Sequence, residues 1–339
     1  MRVGFIGSGA WGITLANLIA KNNHEVLLHS IQENVIKSLE SGNGHPKFPD
    51  FQVNRSIKYT ADLTDLLDKD VIVESVTASG LRCVCKQLKK LGLTNKPFIV
   101  TSKGVEQESG LLLPQVAFEE LGNEDLIGYM GGPTLASEVM MQIHTAAVAS
   151  STSKEIMSII KQLFCSPRFR ITFNSDIIGV ALGGSIKNII AIATGLSDGF
   201  GYGLNTKAIL ITRGLDELSK IAEAKGANKE TIFGLSGLGD LIATGMSGSS
   251  RNFTFGKLIG KGMTREEAKE QIGMVVEGEY TVLSTYNLGK ELKIDLPITN
   301  AMYGIIYENK DPKETLHLLV EAEIVCECNY TQMNSKVGF

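Results

Sequence analysis

The first thirty residues constrain this chain more than any other stretch. Arg2-Val3-Gly4-Phe5-Ile6 reads as an apolar strand, and Gly7-Ser8-Gly9-Ala10-Trp11-Gly12 follows it directly. An amphipathic helix over 13–21 and a second strand over 25–29 come next. This is G-x-G-x-x-G between a strand and a helix, the setting in which that spacing has a mechanism. Gly7 makes the tight turn, Gly9 lets the backbone approach a pyrophosphate, and Gly12 lets the helix pack on the strand. The helix amides and dipole then hold the phosphates. The alternative is a glycine-rich turn with no ligand. A chain that opens this way is expected to build an α/β fold with a Rossmann-type, mainly parallel sheet.

The pattern continues. Apolar strands are expected at 71–74, 98–101, 127–130, 145–150 and 169–172, with helices such as 81–91 and 154–164 between them. Ligands of such sheets bind outside the strand C-termini. Two polar motifs stand there: Thr101-Ser102-Lys103-Gly104 and Gly131-Gly132-Pro133-Thr134. Lys103 could equally be a solvated loop lysine. The end of the second strand, His29-Ser30-Ile31-Gln32-Glu33, carries neither an acid at its tip for a ribose 2′-hydroxyl nor an Arg for a 2′-phosphate. The choice between NAD(H) and NADP(H) therefore stays open.

Beyond about residue 173 the periodicity turns wholly helical. Helices are expected over 177–196, 206–224, 229–233, 251–260, 265–271, 277–292 and 297–307. This divides the chain into a dinucleotide-binding domain, 1–175, and an all-helical domain, 176–339. The first long helix has Lys187 in the middle of an apolar run, with Gly183 and Gly184 one turn earlier on the same face. Either the glycines leave a notch where a ligand lies beside the ammonium, or they admit a crossing helix and Lys187 snorkels to water. A dense loop, Gly234-Leu235-Ser236-Gly237-Leu238-Gly239-Asp240, leads toward Ser250-Arg251-Asn252. Ser250 suits an N-cap, and an Arg at a helix start makes an anion site. A capped helix with an exposed Arg is the plainer reading.

Composition narrows the function classes. The net charge of −4 gives no basic surface for nucleic acid. Met1 runs straight into a strand, leaving no room for a signal peptide, and no apolar run is expected to approach the roughly 18 residues of a membrane span. A cytoplasmic protein that is not integral to a membrane is the expectation. The five cysteines include the pairs Cys83/Cys85 and Cys326/Cys328, which read as reduced thiols and not as a metal site.

Together these motifs resemble the NAD(P)-dependent glycerol-3-phosphate dehydrogenases of the bacterial type, over nearly the whole chain. The resemblance rests on G-S-G-A-W-G at 7–12, S-K-G at 102–104, G-P-T at 132–134, L-G-G-S-I-K-N at 182–188, G-L-G-D at 237–240, S-R-N at 250–252 and V-x-E-G at 275–278. It implies a catalytic Lys187 as proton donor and acceptor, and Lys103 touching both substrate and nicotinamide. Gly132, Thr134, Asp240, Ser250, Arg251 and Asn252 would meet a phosphorylated substrate. Ala10, Trp11, Ala136, Arg251, Val275 and Glu277 would join Gly7, Gly9 and Gly12 on the cofactor. The implied reaction is reversible reduction of dihydroxyacetone phosphate to sn-glycerol 3-phosphate for phospholipid synthesis. The implied helical domain is like that of 6-phosphogluconate dehydrogenase, and the implied assembly is a homodimer. Two departures from the family pattern are Ser30-Ile31, where a basic or polar residue is common, and Ser75-Val76-Thr77-Ala78-Ser79, which lacks a Pro and a Gln. A related two-domain hydroxyacid dehydrogenase or ketopantoate-type reductase would not call for the S-R-N clamp. A non-enzymatic NAD(H) sensor would call for a basic DNA-reading helix, which is not seen.

Overall fold

The computed structural model describes residues 1–46, 49–248 and 250–321. Its first part runs β1 (Arg2–Ile6), α1 (Ala10–Lys21), β2 (Glu25–His29), α2 (Glu33–Glu40), β3 (Lys58–Thr60), β4 (Val71–Glu74), α3 (Ala78–Lys90), β5 (Phe98–Val100), α4 (Leu113–Leu121), β6 (Ile127–Gly131), α5 (Ala136–Met140), β7 (Thr145–Ser150), α6 (Lys154–Phe164) and β8 (Phe169–Asn174). The strands form one sheet in the order β3-β2-β1-β4-β5-β6-β7-β8. Every pairing is parallel except β6 with β7, so the expected mainly parallel sheet is what forms. The chain leaves β1 in one direction for β2 and β3 and returns beside β1 as β4. That reversal opens a crevice at the strand C-termini, where the Gly7 turn faces the loop after β4. Phe5, Val73, Ile99 and Tyr129 are fully buried in the strands between the helical layers.

Every described element after Asn174 is helical: α7 (Ile177–Gly199), α8 (Leu204–Ala224), α9 (Lys229–Ile232), a π-helical turn (Leu235–Gly239), α10 (Asp240–Gly245), α11 (Arg251–Gly260), α12 (Arg265–Ile272), α13 (Glu277–Leu292), α14 (Pro297–Tyr307) and α15 (Pro312–Glu321). α7 is the axis of this part. It has 23 residues, a mean hydropathy of 1.7 over its most apolar 18-residue window, and 89% of that window is buried. The expectation that no apolar run reaches membrane-span length is therefore corrected. By length and composition α7 qualifies, and the surrounding helices bury it because it is hydrophobic nearly all round. α7 and α11 cross backbone against backbone through glycines. A methyl at Gly195 would fall 2.0 Å from the Phe253 carbonyl oxygen, and one at Gly256 would fall 2.0 Å from that of Ile192.

One further expectation is revised. The stretch 234–240 is not an open loop but helical turns, and Gly237 is required because a methyl there would fall 2.0 Å from the Ile232 carbonyl oxygen. Cys83, Cys85 and Cys165 are free thiols, while Cys326 and Cys328 lie outside the described residues.

Candidate functional site

The N-terminal turn has the shape its glycines predict. Gly7 sits at φ +109°, where other residues are strained, and a methyl there would lie 2.4 Å from the Ser75 carbonyl oxygen. Gly12 is held by packing, since a methyl would lie 2.2 Å from the Gly7 carbonyl oxygen. Gly9 is the reverse case: among the described residues a methyl there meets nothing within 4 Å, so the turn is open on the side where a phosphate would lie. No side chain caps the start of α1, where Ala10 and Trp11 are the first two helical residues. The buried indole Nε1 of Trp11 has no hydrogen-bond partner among the described residues. An uncapped helix start, an open glycine and an unpaired donor fit a dinucleotide. At the end of β2, Ile31 is 88% exposed, and the Ser30 hydroxyl is engaged by Ser8 Oγ at 2.7 Å.

The second cluster lies where α7 meets the C-terminal ends of β5 and β6. Lys187 is only 7% exposed and ion-pairs with Asp240 Oδ1; it also donates to Thr244 Oγ1 at 2.9 Å. The other oxygen of Asp240, itself 1% exposed, accepts from Lys103 Nζ at 2.7 Å. Lys103 donates further to the Gly132 carbonyl at 2.9 Å and to Thr134 Oγ1 at 3.2 Å. One carboxylate thus joins two ammonium groups, one from the sheet and one from the helices. Burial pulls the Lys187 pKa down to about 7; the Asp240 charge opposes this, and the Lys103 charge adds to it.

Of the two readings of the glycine pair ahead of Lys187, the open notch is corrected, while the other holds for the glycines, which admit a packed helical turn, but not for the lysine. The notch is filled by protein. A methyl at Gly183 would lie 2.4 Å from the Ser236 carbonyl oxygen, so the 235–239 turn packs there. Gly184 faces the Tyr129 hydroxyl and the Lys103 stem, at 3.0 and 3.5 Å from where its methyl would be. Lys187 does not snorkel to water either, because Asp240 holds it inside.

Around α11 the picture is mixed. Ser250 caps the helix, accepting from the Phe253 amide at 3.3 Å. Arg251 is exposed and donates to the Val275 carbonyl at 2.8 Å, which brings the S-R-N and V-x-E-G motifs together. Asn252 is buried, donating to Asn188 Oδ1 at 2.8 Å and accepting from the Gly278 amide at 2.9 Å. Burial raises the Glu277 carboxyl and the Arg251 charge counters it. Ala136 opens α5 just past Thr134. Three residues that sequence reasoning did not single out stand in or beside the site. Asn188 follows Lys187 and holds Asn252; Thr244, one turn after Asp240, faces Lys187; Tyr129 lies under Gly184 with its hydroxyl unpaired among the described residues. The four-residue spacing from Asp240 was the available signal for Thr244.

Comparison with known proteins identifies the family. Family models described as the N-terminus and C-terminus of NAD-dependent glycerol-3-phosphate dehydrogenase match residues 2–157 and 176–317. A glycerol-3-phosphate dehydrogenase [NAD(P)+] of Protochlamydia amoebophila is 43% identical over 326 residues, covering 95% of this chain and 98% of the relative. One from Chlamydia abortus is 43% identical over 323 residues, covering 94% and 97%. A crystal structure of glycerol-3-phosphate dehydrogenase from Coxiella burnetii superposes with a TM-score of 0.90 at 32% identity, covering 94% of this chain and 98% of that one. With both family models matched across the sheet and the helices, and with relatives of this identity over nearly full length, the chain belongs to the NAD-dependent glycerol-3-phosphate dehydrogenase family.

Proposed function

We propose that this chain reduces dihydroxyacetone phosphate to sn-glycerol 3-phosphate, reversibly, with NADH or NADPH, and so supplies glycerophospholipid synthesis. The observation that carries the reading is the buried Lys103–Asp240–Lys187 bridge at the strand C-termini. In this reading residues 1–175 form the cofactor domain and residues 176 onward form the substrate domain, with the bridge joining them. Gly7, Gly9, Ala10, Trp11 and Gly12 would hold the dinucleotide phosphates, and Ala136, Val275 and Glu277 its far side. Bound there, the nicotinamide supplies the hydride.

Reduction of a ketone builds negative charge on its oxygen, which must be stabilised and protonated. Lys187 donates that proton. Its pKa near 7 makes it a competent acid for reduction and a competent base for oxidation at neutral pH. Lys103, fixed by Gly132, Thr134 and Asp240, adds a second positive charge beside the reacting carbonyl. Arg251 and Asn252, at the start of α11 beside Ser250, would anchor the substrate phosphate, whose binding energy then orients the small ketone. Family resemblance also supports a homodimer in the cytoplasm, with α7 buried as a core helix and not spanning a membrane.

The deciding measurement is absorbance at the reduced-nicotinamide band. It should fall when dihydroxyacetone phosphate is added and stay level with dihydroxyacetone. Equal rates with both ketones would remove the phosphate anchor from the reading, and no rate with either would remove the substrate.

A further inference from the structure

One buried acid at the crevice has no part in the chemistry above; burial pushes its titration up, and the donors around it oppose this. Glu74 ends the otherwise apolar strand β4 and is wholly buried. Among the described residues no cation lies within ion-pairing distance of it. A buried carboxylate without a cation is costly unless its lone pairs are filled. Here they are filled by four donors. Oε2 accepts from the Val76 amide at 3.0 Å. Oε1 accepts from the Thr101 amide at 3.1 Å, the Ser102 amide at 3.3 Å and the Ser102 hydroxyl at 2.7 Å. The Thr101 hydroxyl donates back to the Glu74 carbonyl at 2.6 Å.

The loops that supply those donors are the two that matter at this crevice. Val76 belongs to the loop after β4, whose Ser75 carbonyl oxygen closes against Gly7. Thr101 and Ser102 form the root of Lys103, whose ammonium reaches Asp240. One side chain therefore sets the wall facing the dinucleotide turn and the base of Lys103 relative to each other. The backbone ladder between these loops reaches only one residue further, where the Thr101 amide also donates to the Glu74 carbonyl at 3.2 Å, so the ties to Ser102 and to the Val76 amide belong to the side chain.

We propose that Glu74 is a positioning residue that locks the loop after β4 to the root of Lys103, so that cofactor and ammonium are presented in one fixed geometry. The proposal rests on the role assigned above to Lys103. Glu74→Gln keeps the size but replaces an acceptor with a donor facing the Val76 amide. Ser102→Ala removes only the hydroxyl bond from the opposite side. Two readouts are needed: NADH affinity by fluorescence titration, and kcat/KM for dihydroxyacetone phosphate at saturating NADH.

Glu74→Gln should lower kcat/KM by about tenfold, the scale of one charge-assisted hydrogen bond, and weaken NADH binding severalfold. Ser102→Ala should move kcat/KM the same way by less. In a Lys103→Ala background Glu74→Gln should cost little further kcat/KM, because the group it positions is gone, while the NADH effect persists. A purely structural role would instead lower the melting temperature and multiply the two kcat/KM losses. That multiplication, or wild-type values in both single variants, overturns the proposal. If Glu74→Gln fails to fold, the Ser102→Ala and Lys103→Ala cycle decides on the same criterion. Turnover by the unaltered chain tests the substrate reading separately, and the NADH titration reads the loop without any ketone present.

Discussion

Asp240→Asn is the most informative single change, because one carboxylate serves both ammonium groups. Removing one partner of a buried pair typically costs about 3–5 kcal/mol. Here the cost has two outlets. Lys103 is partly reached by solvent, so its share should show as a lower melting temperature. Lys187 is enclosed and can escape by losing its proton, since Asp240 is what opposes the burial that already holds its pKa near 7. Taking about 3 kcal/mol at about 1.4 kcal/mol per pH unit moves that titration down by roughly two pH units. At pH 7 the protonated fraction then falls from about half to about one in a hundred, so reduction should lose roughly fiftyfold. The assay is kcat/KM for reduction from pH 5 to 9, which reports the free enzyme's titration. Reduction by the variant should recover toward pH 5 and oxidation should not. A uniform loss at every pH, with the midpoint unmoved, would refute the electrostatic argument and leave Asp240 as a spacer.

The other expectations are simpler. Reduction by the unaltered chain should be fully present below pH 7 and fade as pH rises through it, while oxidation does the reverse; two parallel profiles would exclude Lys187 as the titrating group. Lys187→Met should lower kcat by at least about a hundredfold while NADH titrates normally, and near-normal turnover would end its assignment as proton donor. Arg251→Ala should cost roughly 2–4 kcal/mol in kcat/KM for the phosphorylated ketone with little change in melting temperature; a lower melting temperature with unchanged activity would make Arg251 structural. NADH and NADPH should both serve, because Ile31 is exposed at the end of β2 and Ser30 is already engaged; a preference above roughly a thousandfold, about 4 kcal/mol, would reveal an unassigned group reading the 2′ position.

Much of the fold was legible because its signals are local. β1, β2, β4, β7, α6, α11, α13 and α14 end where periodicity and capping residues place them. β3 escaped because three half-exposed residues at a sheet edge carry no pattern. The 234–240 stretch was misread because glycine density has two causes, a ligand loop or tight backbone crossing, and the neighbour that decides is Gly183, over fifty residues away in the chain. The site divides the same way. The Gly7–Gly12 turn is a contiguous motif and could be read in advance, down to which glycine is open. The bridge could not, since Asp240 is 53 residues from Lys187 and 137 from Lys103. Glu74 announced itself only as a carboxylate closing an apolar run, and its partners beyond Val76 are 27 and 28 residues on, in the next strand's loop.

The crossing of α7 and α11 has a consequence for how the chain is made. α7 is complete at Gly199, but the backbone it packs against is not complete until Gly260. During that interval of synthesis the most apolar helix of the protein lacks its tightest partner, and at about 5–20 residues per second the exposure lasts several seconds. Nothing upstream can replace α11, because the contact depends on glycines 195, 199, 256 and 260 meeting without side chains between them. The helical half must therefore close late and together, around a helix that is sticky until it does. Changes at those four glycines should therefore lower the amount of protein recovered.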